Sequence, residues 1–508
     1  AVAEVEVVPK RRTLQIGERV ELFVTLRDAN RAVIDEERPV TWESNAPAVV
    51  AIGEDGFATG LAPGEAELVA TVEGVSDTAE FTVEGIPVER VNIVSSTRRL
   101  IPEDEALFVA EVYDLENNLL EGRLITWSSS NEAIANVDEA GLVTAISAGT
   151  TMINATSEGK TAAVEVEVYF DFEDVATGGA HACGLIGGVA YCWGANEEGQ
   201  LGRGTTSTSE PPARVVTQLR FVSLSLGAAH SCGLTRAGAA HCWGSGTDGR
   251  LGTGQTARET EPTPVSNGHV FSSLSAGESH TCGIDVTDKL WCWGNGADGR
   301  LGNGQAGSQN VPTEISGSLS IRSVSAGGSH TCAITTGSEG HCFGANDRGQ
   351  LGTGNNTPHS SPTLIPGGYT FVVLKAGSSH TCGLAGSGLV TCFGANDRGQ
   401  VGDTTNNDRS TPIFVSLPQG VSISGLSAGD DHTCGQAPGG VLYCWGAGTS
   451  GQLGDGQGED AEAPVRVLSD QIFVAFDASG DQSCALNGDG KLYCWGLGAS
   501  DLPLKVEF

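Results

Sequence analysis

Cysteine is missing from the first third of this 508-residue chain: all 14 cysteines lie at or beyond position 183. Aromatic residues make up only 6% of the chain. No apolar run approaches the roughly 18 to 20 residues of a membrane-spanning helix, so we expect no membrane span. The chain has neither an initial methionine nor a basic leader followed by an apolar stretch. We therefore expect a mature or excised chain.

Basic residues are also scarce, with 28 Lys and Arg against 62 Asp and Glu, which gives a net charge of −34. A surface this acidic repels phosphate backbones, so we do not expect nucleic acid as a partner. Calcium, cationic partners and a salty habitat are all compatible with it. The simplest interpretation is that the acidic residues keep a secreted protein soluble.

The cysteine-free region contains a repeat with a period of 85 residues. Trp42 recurs as Trp127, and the recurring glycines are Gly56 with Gly141 and Gly64 with Gly149. Short alternating runs such as 67–72 and 162–168, separated by turn residues, predict β-sandwich strands. The single tryptophan of each copy is expected to fill the core. The repeat predicts two domains, residues 1–84 and 85–168.

These two units resemble the bacterial Ig-like domains of group two. The resemblance rests on the Trp-x-Ser/Glu segments and the glycine-containing turns that recur in both copies. It implies a stalk or spacer role, sometimes with adhesion. The short joints at Gly85-Ile86-Pro87 and at Val168-Tyr169 predict a semi-rigid rod that carries the C-terminal domain.

Residues 169–508 contain a second repeat of about 50 residues, which is the sequence signature of a propeller. We predict that each unit begins at a Pro-x-x-Val/Ile element, which occurs seven times; a Gly-Gln/Arg-Leu/Val-Gly element occurs six times. Several short strands per unit with glycine-rich turns are typical of one propeller blade. The expected fold class is all-β: two Ig-like β-sandwiches followed by a seven-bladed β-propeller.

The unit resembles the regulator-of-chromosome-condensation repeat, whose seven copies imply a seven-bladed propeller. The last copy departs from the pattern, because Gln482 replaces the histidine, Ser479 replaces a glycine and the Gly-Gln-Leu-Gly turn is missing. The first copy has no Pro-x-x-Val strand before Phe170, whereas the chain finishes on such a segment at 502–506. We therefore predict that the C-terminal strand joins the first blade and closes the ring.

Each unit contains one cysteine pair, nine or ten residues apart, in a predicted hairpin that places the two Cβ atoms opposite each other. We predict one disulfide within each blade, which requires an oxidising compartment. Zinc bound by His-x-Cys and free thiols are the alternatives; a closed zinc site needs four ligands, and each unit offers about three. The predicted pairs are Cys183–Cys192, Cys232–Cys242, Cys282–Cys292, Cys332–Cys342, Cys382–Cys392, Cys434–Cys444 and Cys484–Cys494.

One histidine and one aromatic residue recur in nearly every unit, and both sets are interpreted as structural. Catalysis needs one asymmetric constellation, so each histidine is expected to bond the backbone of a neighbouring blade. The aromatic residue after each second cysteine is expected to pack between blades. The histidines are His181, His230, His280, His330, His380 and His432, and the aromatic residues are Trp193, Trp243, Trp293, Phe343, Phe393, Trp445 and Trp495.

No catalytic arrangement stands out from the repeats, and we predict no catalytic, cofactor-binding or metal-binding residues. The Gly-Gln-Leu-Gly turns lack the following helix of a phosphate site. The acidic segments at 430–431 and 455–460 are candidates for calcium, although they lack EF-hand spacing.

The resemblance brings known roles that the residues argue against. Nucleotide exchange with chromatin binding does not suit a chain with paired cysteines and no basic N-terminal arm. Light sensing needs clustered tryptophans after the repeat glycine, where this chain has Gly179, Ala228, Glu278, Gly328, Ser378 and Asp430. The resemblance also includes a secreted bacterial propeller that inhibits a β-lactamase through one face.

We therefore expect an exported, extracellular or cell-surface, non-enzymatic protein that binds an extracellular protein or a glycan. Possible self-association into a surface layer or filament, and a polysaccharide-active enzyme, are the alternatives. The binding positions are expected in loops that converge on one face. These loops are Arg203–Glu210, Thr253–Glu261, Asn303–Val311, Thr353–Ser361 and Asp403–Thr411, with solvated connectors as the plain alternative.

Overall fold

The computed structural model describes residues 1–94, 97–497 and 500–506, which are almost entirely strands and turns. The chain divides into two compact units, Ala1–Tyr169 and a second unit from Phe170 onward. The first contains two β-sandwiches and the second contains seven four-stranded sheets. The predicted all-β fold class is confirmed.

The two sandwiches have the same topology, as the 85-residue repeat predicts. The first contains β1 Glu4–Val8, β2 Arg11–Gln15, β3 Arg19–Glu21, β4 Phe23–Arg27, β5 Thr41–Ser44, β6 Val50–Ile52, β7 Phe57–Gly60, β8 Gly64–Val72 and β9 Val75–Glu84. The second contains β10 Arg90–Val94, β11 Arg99–Leu100, β12 Glu105–Leu107, β13 Val109–Tyr113, β14 Thr126–Ser129, β15 Ala135–Val137, β16 Leu142–Ala145, β17 Gly149–Ser157 and β18 Lys160–Val168.

Strand order is β2-β9-β8-β5 in the large sheet of the first sandwich and β11-β18-β17-β14 in the second. The long strands alternate buried and exposed residues, because one face covers the core and the other meets solvent. Leu14, Leu68 and Phe81 are fully buried at the centre of the first core.

Trp42 and Trp127 pack against these cores but stay half-buried, so they do not fill the core centres as expected. Both lie on edge strands, β5 and β14, where only one neighbouring strand covers them. This packing explains why glycine recurs at this position. A Cβ on Gly141, at φ +86°, would lie 2.9 Å from the Trp127 ring. The tryptophan thus packs directly on glycine backbone.

Each propeller blade is a four-stranded antiparallel sheet whose strands follow one another in the chain. Blades 1 to 4 contain β19 Asp174–Thr177, β20 His181–Ile186, β21 Val189–Asn196, β22 Ser207–Arg214; β23 Phe221–Leu226, β24 His230–Thr235, β25 Ala240–Gly244, β26 Glu259–Pro264; β27 Phe271–Ala276, β28 His280–Asp285, β29 Leu290–Gly294, β30 Gln309–Glu314; β31 Ile321–Ala326, β32 His330–Thr335, β33 Gly340–Gly344, β34 His359–Leu364.

Blades 5 to 7 contain β35 Phe371–Ala376, β36 His380–Ala385, β37 Val390–Gly394, β38 Arg409–Phe414; β39 Gly425–Ala428, β40 His432–Ala437, β41 Val441–Gly446, β42 Ala461–Arg466; β43 Phe473–Ser479, β44 Gln482–Asn487, β45 Leu492–Gly496, β46 Ser500–Lys505. Three short 3-10 helices are Thr247–Gly249, Ser266–Gly268 and Ala297–Gly299. Among the described residues, no helix has the length and apolar character needed to cross a bilayer.

The second strand of each blade is buried along nearly its whole length, because neighbouring blades cover both of its faces. The outermost strand carries the Pro-x-x-Val/Ile proline of every blade, for example Pro312 in β30 and Pro503 in β46. Proline has no N–H to offer a ladder, so it suits an edge strand. The proline element therefore lies in the last strand of each blade. The prediction that it begins a unit is wrong by one strand.

This shift explains why the prediction of ring closure is wrong. The C-terminal strand β46 pairs with β45 of blade 7, and blade 1 is complete with β19 to β22. The proline strand that the first copy lacks before Phe170 belongs to the preceding blade, and blade 1 has no preceding blade in the chain. No strand of the described residues is exchanged across the join between blades 7 and 1.

The ring closes instead through hydrogen bonds between blades 7 and 1. The Phe172 N–H donates to the Gly490 carbonyl at 2.8 Å, and the Lys491 ammonium lies 2.7 Å from the Asp171 carboxylate. Gln482, which replaces the recurring histidine, donates from Nε2 to the carbonyls of Gly178 and His181 at 2.9 and 2.7 Å. The departure of the last copy from the repeat thus serves the closure.

Candidate functional site

Each blade has one disulfide between its second and third strands, as the cysteine spacing predicts. The paired cysteines are direct register partners, as in Cys282 and Cys292, and their Cα atoms are 4.1 Å apart in every bridge. No cysteine is free. Because every sulfur is bonded to another sulfur, none is available as a thiolate ligand for zinc.

The recurring histidines connect each blade to the next. His280 Nε2 lies 2.7 Å from the Thr331 hydroxyl of blade 4, and that hydroxyl donates to the Arg300 carbonyl of blade 3 at 2.8 Å. The expected backbone partner is therefore wrong, since the histidine meets a hydroxyl that in turn bonds the backbone. The other pairs are His181–Ser231, His230–Thr281, His330–Thr381, His380–Thr433 and His432–Ser483.

This geometry fixes the protonation of the ring. The Thr331 hydroxyl proton goes to the carbonyl, so its oxygen must accept from the Nε2–H of His280. Burial lowers the pKa of His280 to about 3, because the interior disfavours the charged imidazolium. Burial lowers the pKa of His181, His330 and His432 to about 3 and that of His380 to about 4. These histidines are neutral structural donors.

The recurring aromatic residues pack between blades, as expected. Trp445 is fully buried, and its indole N–H donates to the Gln400 carbonyl of the preceding blade at 3.0 Å. Gly402, at φ +72°, lies against the same ring, where a Cβ would come within 2.9 Å. Trp193 of blade 1 is only half-buried. Blade 7 lacks the Gly-Gln-Leu-Gly element that covers the corresponding ring at the other joins.

The innermost strands of the seven blades surround an axial cavity of about 260 Å³. Serine recurs among the lining residues, two positions before the repeat glycine, as Ser225, Ser275, Ser325 and Ser427. Each serine oxygen accepts an N–H from the next blade; Ser325, for instance, accepts from Ala376 at 3.0 Å. Sequence reasoning missed this set, although its Ser-x-Gly pattern is visible in the repeat.

Three blades depart from this serine ring. Asp477 of blade 7 accepts from the Thr177 N–H at 2.8 Å and from the Ser427 hydroxyl at 2.8 Å, so it replaces serine as an acceptor across the closing join. Blade 1 has Ala176 and blade 5 has Lys375 at this position. An ammonium group has no lone pair to accept an N–H, so Lys375 cannot replace the serine.

Acidic side chains gather where the innermost strands end. Glu278 and Asp430 line the cavity there, and Asp431 follows Asp430 in the chain. Burial and the neighbouring carboxylates Glu278, Asp431 and Asp481 raise the pKa of Asp430 to about 7. Burial and the carboxylates of Asp397, Asp481 and Glu278 also raise the pKa of Asp431. This end of the cavity is called the acidic mouth below.

The predicted binding loops begin at the same end of the blades as the acidic mouth. In an antiparallel four-stranded blade, the first and third strands run in the same direction, so both finish on one face. The start of each loop is fixed to the next blade; the Gly304 N–H donates to the Ser360 carbonyl at 2.8 Å. The middle of each loop is exposed, for example residues 255–258 and 305–308.

The acidic loop considered for calcium is used internally. Asp455 Oδ1 accepts the Gln457 N–H at 3.1 Å, and Asp460 pairs with Arg398 at 3.1 Å. Within residues 1–94, 97–497 and 500–506, no group of three or more His, Cys, Asp or Glu residues is placed to hold a metal ion.

Comparisons with known families agree with this architecture. The bacterial Ig-like domain (group 2) family matches residues 1–83 and 93–168, and the RCC1-like domain family matches residues 149–477. The RCC1-like match begins within the second sandwich, since Gly149–Ser157 and Lys160–Val168 are strands of that domain.

Individual relatives are distant. Ice-binding protein 1 of Shewanella frigidimarina (strain NCIMB 400) is 23% identical over 154 residues, which are 30% of this chain and only 17% of that protein. Human WBSCR16 superimposes with a TM-score of 0.58 at 20% identity, covering 65% of this chain and 92% of that chain. Prp20p from Saccharomyces cerevisiae gives 0.57 at 19% identity, covering 63% and 85%.

The likeness to these solved structures establishes the propeller fold. The family match covers more than half of the sequence and includes the first six blades with their recurring histidines and glycine turns. This chain belongs to the RCC1-like domain family, and it carries two bacterial Ig-like domains of group 2 ahead of its propeller.

Proposed function

We propose that this chain is an exported, non-enzymatic binding protein of the cell surface or extracellular space. The propeller presents one face to an extracellular protein or glycan, and the Ig-like domains serve as a spacer. The observation that carries this proposal is the set of seven disulfides with no free cysteine. Such bridges form and persist in oxidising compartments and are rare in the cytosol.

The similar proteins favour binding over catalysis. Ice-binding protein 1 is named for a binding activity, and the study of Prp20p concerns its binding to Gsp1p and histones. A nucleic-acid partner does not suit a chain with a net charge of −34. The recurring histidines are committed to bonds between blades, which removes them as candidate general bases.

The face that carries the loops is the better binding surface of the two. The centre of each loop is exposed, and its start is hydrogen-bonded to the neighbouring blade. The variable side chains are therefore held in position by a rigid scaffold. Residues at 255–258 and 305–308 also differ from blade to blade, whereas the strands beneath them repeat. A surface that varies on a repeated scaffold is suited to recognition of a particular partner.

The location is tested by intact-mass analysis of the full chain recovered from its native cells. We expect a mass increase of 14 hydrogens on reduction, corresponding to the 14 cysteines. Thiols that react with an alkylating reagent before reduction would contradict the proposal of export.

The binding face is tested with the full chain on an array of glycans and by capture from the native envelope. A variant with Gln255→Ala, Thr256→Ala and Arg258→Ala alters one exposed loop centre. Val286→Ser changes an exposed residue in a hairpin turn at the opposite end of the blade and serves as the matched control. We expect the loop variant to lose the captured partner and the control to retain it; the reverse result would place binding on the other face.

A further inference from the structure

We propose that the axial cavity of the propeller binds a small zwitterion with an amine and a carboxylate at opposite ends of a flexible chain, the class that includes free lysine. This inference goes beyond the proposed function, because it concerns a small molecule inside the ring and not a partner on its face. Two sets of charged groups support this inference: one lies at the level of the serine ring and the other at the acidic mouth.

The first is Lys375, which lines the cavity at the level of the serine ring. Among the described residues, its ammonium has no ion pair within 4.0 Å and no hydrogen bond. The lysine also stands where four other blades have a serine that accepts an N–H from the next blade. Of the three blades that depart from serine, only blade 5 places a cation at this position.

Serine hydroxyls beside the lysine complete an anion site. Ser225, Ser275 and Ser325 each accept an N–H from the next blade, and their own hydroxyl protons have no acceptor among the described residues. A ligand carboxylate in the cavity can accept from these hydroxyls and from the Lys375 ammonium. Charge-assisted bonds of this kind are the stronger class of hydrogen bond.

The second set lies at the acidic mouth. The carboxylates of Glu278 and Asp430 line the same cavity, and within the described residues neither is in an ion pair; Asp430 has a backbone hydrogen bond from Gly480. Glu278 extends over Gly328 of the next blade toward Ser378 of the blade after it, since a Cβ on Gly328 would contact Glu278 Oε1 and lie 2.7 Å from Ser378 Oγ. The carboxylate therefore lies beside the next blade at the acidic mouth, where it can receive a ligand cation.

The mixed lining selects against simpler ligands. A plain anion that reaches Lys375 would meet the repulsion of the carboxylates at the acidic mouth, and a plain diamine would place a cation beside Lys375 with no carboxylate to compensate it. The serine level and the acidic mouth are three residues apart in the chain, for example Ser427 and Asp430, which is at most about 10 Å because β39 ends at Ala428. The side chains of Lys375 and Glu278 shorten this gap to one that the four-carbon stem of lysine suits.

The test is isothermal titration of the full chain with three probes: L-lysine, hexanoate and pentane-1,5-diamine. We expect saturable binding of L-lysine and at least tenfold weaker binding of the other two, because each lacks one charged end. Failure of L-lysine to bind would overturn the proposal. Diamine binding as tight as that of L-lysine would also overturn it, since the acidic mouth alone would then account for binding.

Two variants taken from the repeat itself assign the residues. Lys375→Ser restores the residue of four other blades, so we expect an unchanged or higher Tm and at least a tenfold loss of L-lysine affinity. Glu278→Ala copies Ala228 and is expected to weaken L-lysine and the diamine but not hexanoate. Lys505→Ser makes the same chemical change on the exposed outer strand β46 and should bind L-lysine as the unmodified chain does. Unchanged affinity in Lys375→Ser would refute the site.

The outcome is separable from the proposal of export. Disulfide content and partner capture on the loop face do not depend on the axial cavity. Loss of L-lysine binding in Lys375→Ser with partner capture intact would confirm that the two sites are independent.

Discussion

The sandwiches and the propeller are both all-β, yet different interactions hold them together. Each sandwich relies on an apolar core between two sheets, and its ion pairs, such as Arg11–Glu80 and Arg19–Asp55, are exposed. The propeller repeats a buried polar connection at each join and adds a disulfide in every blade. The apolar core of a sandwich increases with the area shared by its two sheets, whereas the propeller depends on many narrow interfaces between blades. Hydrogen bonds and disulfides supply the precision that those contacts need.

Reduction should separate the two regions most sharply. A bridge closing about ten residues contributes roughly 2 to 3 kcal/mol in the chain-entropy model, and there are seven such bridges. We expect reductant to remove the propeller transition in calorimetry and to leave the transition of the cysteine-free unit unchanged. A propeller that melts at the same temperature after verified reduction would show that the hydrogen-bonded joins suffice.

Between pH 6.5 and 5, acid should act mainly on the propeller, since no histidine lies before His181. The folded-state pKa of the buried histidines is lowered to about 3 to 4, so they stabilise the fold above pH 6.5 and this contribution is lost as pH falls below 6.5. Asp174 and Asp430, with pKa values raised to about 6 and about 7, offset part of the loss.

We therefore expect the free energy of unfolding of the propeller to fall by about 3 to 5 kcal/mol as the pH falls from 6 to 5. Denaturant titrations across this range, monitored separately for each transition, measure it. A propeller midpoint that does not move relative to that of the sandwiches would contradict neutral buried histidines.

Tryptophan truncation compares the two kinds of packing directly. Trp445→Ala removes a fully buried ring between blades and a hydrogen bond to Gln400, and we expect a loss of about 3 to 5 kcal/mol. Trp42→Ala removes a half-buried ring at the edge of a sandwich and should cost clearly less. Urea unfolding of both variants provides the measurement, and equal losses would remove the distinction.

Substitution of the histidine at a single join between blades should have the smallest effect on stability. His280→Ala leaves the Thr331 hydroxyl without its imidazole donor but still bonded to the Arg300 carbonyl, which predicts a loss of about 1 to 3 kcal/mol. Thr331→Val removes both bonds and should cost more. A double variant whose loss equals that of Thr331→Val alone would establish that the two residues act as one connection.

Periodicity made much of the fold predictable. The spacing of Cys282 and Cys292 placed a hairpin and its disulfide, and the 85-residue interval from Trp42 to Trp127 gave two sandwiches of equal topology. A repeat can, however, be read in any frame. The choice to begin each unit at the proline assigned β46 to the wrong blade, because nothing in one sequence marks where a sheet begins.

The site was less accessible to sequence reasoning. His280 was correctly interpreted as structural. Its partner on the next blade, Thr331, lies 51 residues away in the sequence, and only the assembled ring brings the two side chains together. Lys375 breaks the Ser-x-Gly pattern, which is visible in the sequence. Its unpaired ammonium follows from three-dimensional placement alone, because the inner strands of other blades supply all of its surroundings.

The prolines of the outermost strands also determine how another molecule can approach the propeller. In all seven blades the strand that faces outward lacks at least one main-chain donor, from Pro212 in β22 to Pro503 in β46. An incoming β-strand would find gaps in the ladder wherever it tried to extend a blade. Strand addition at the perimeter of the ring is therefore disfavoured, which favours recognition through side chains on the two faces or along the axis.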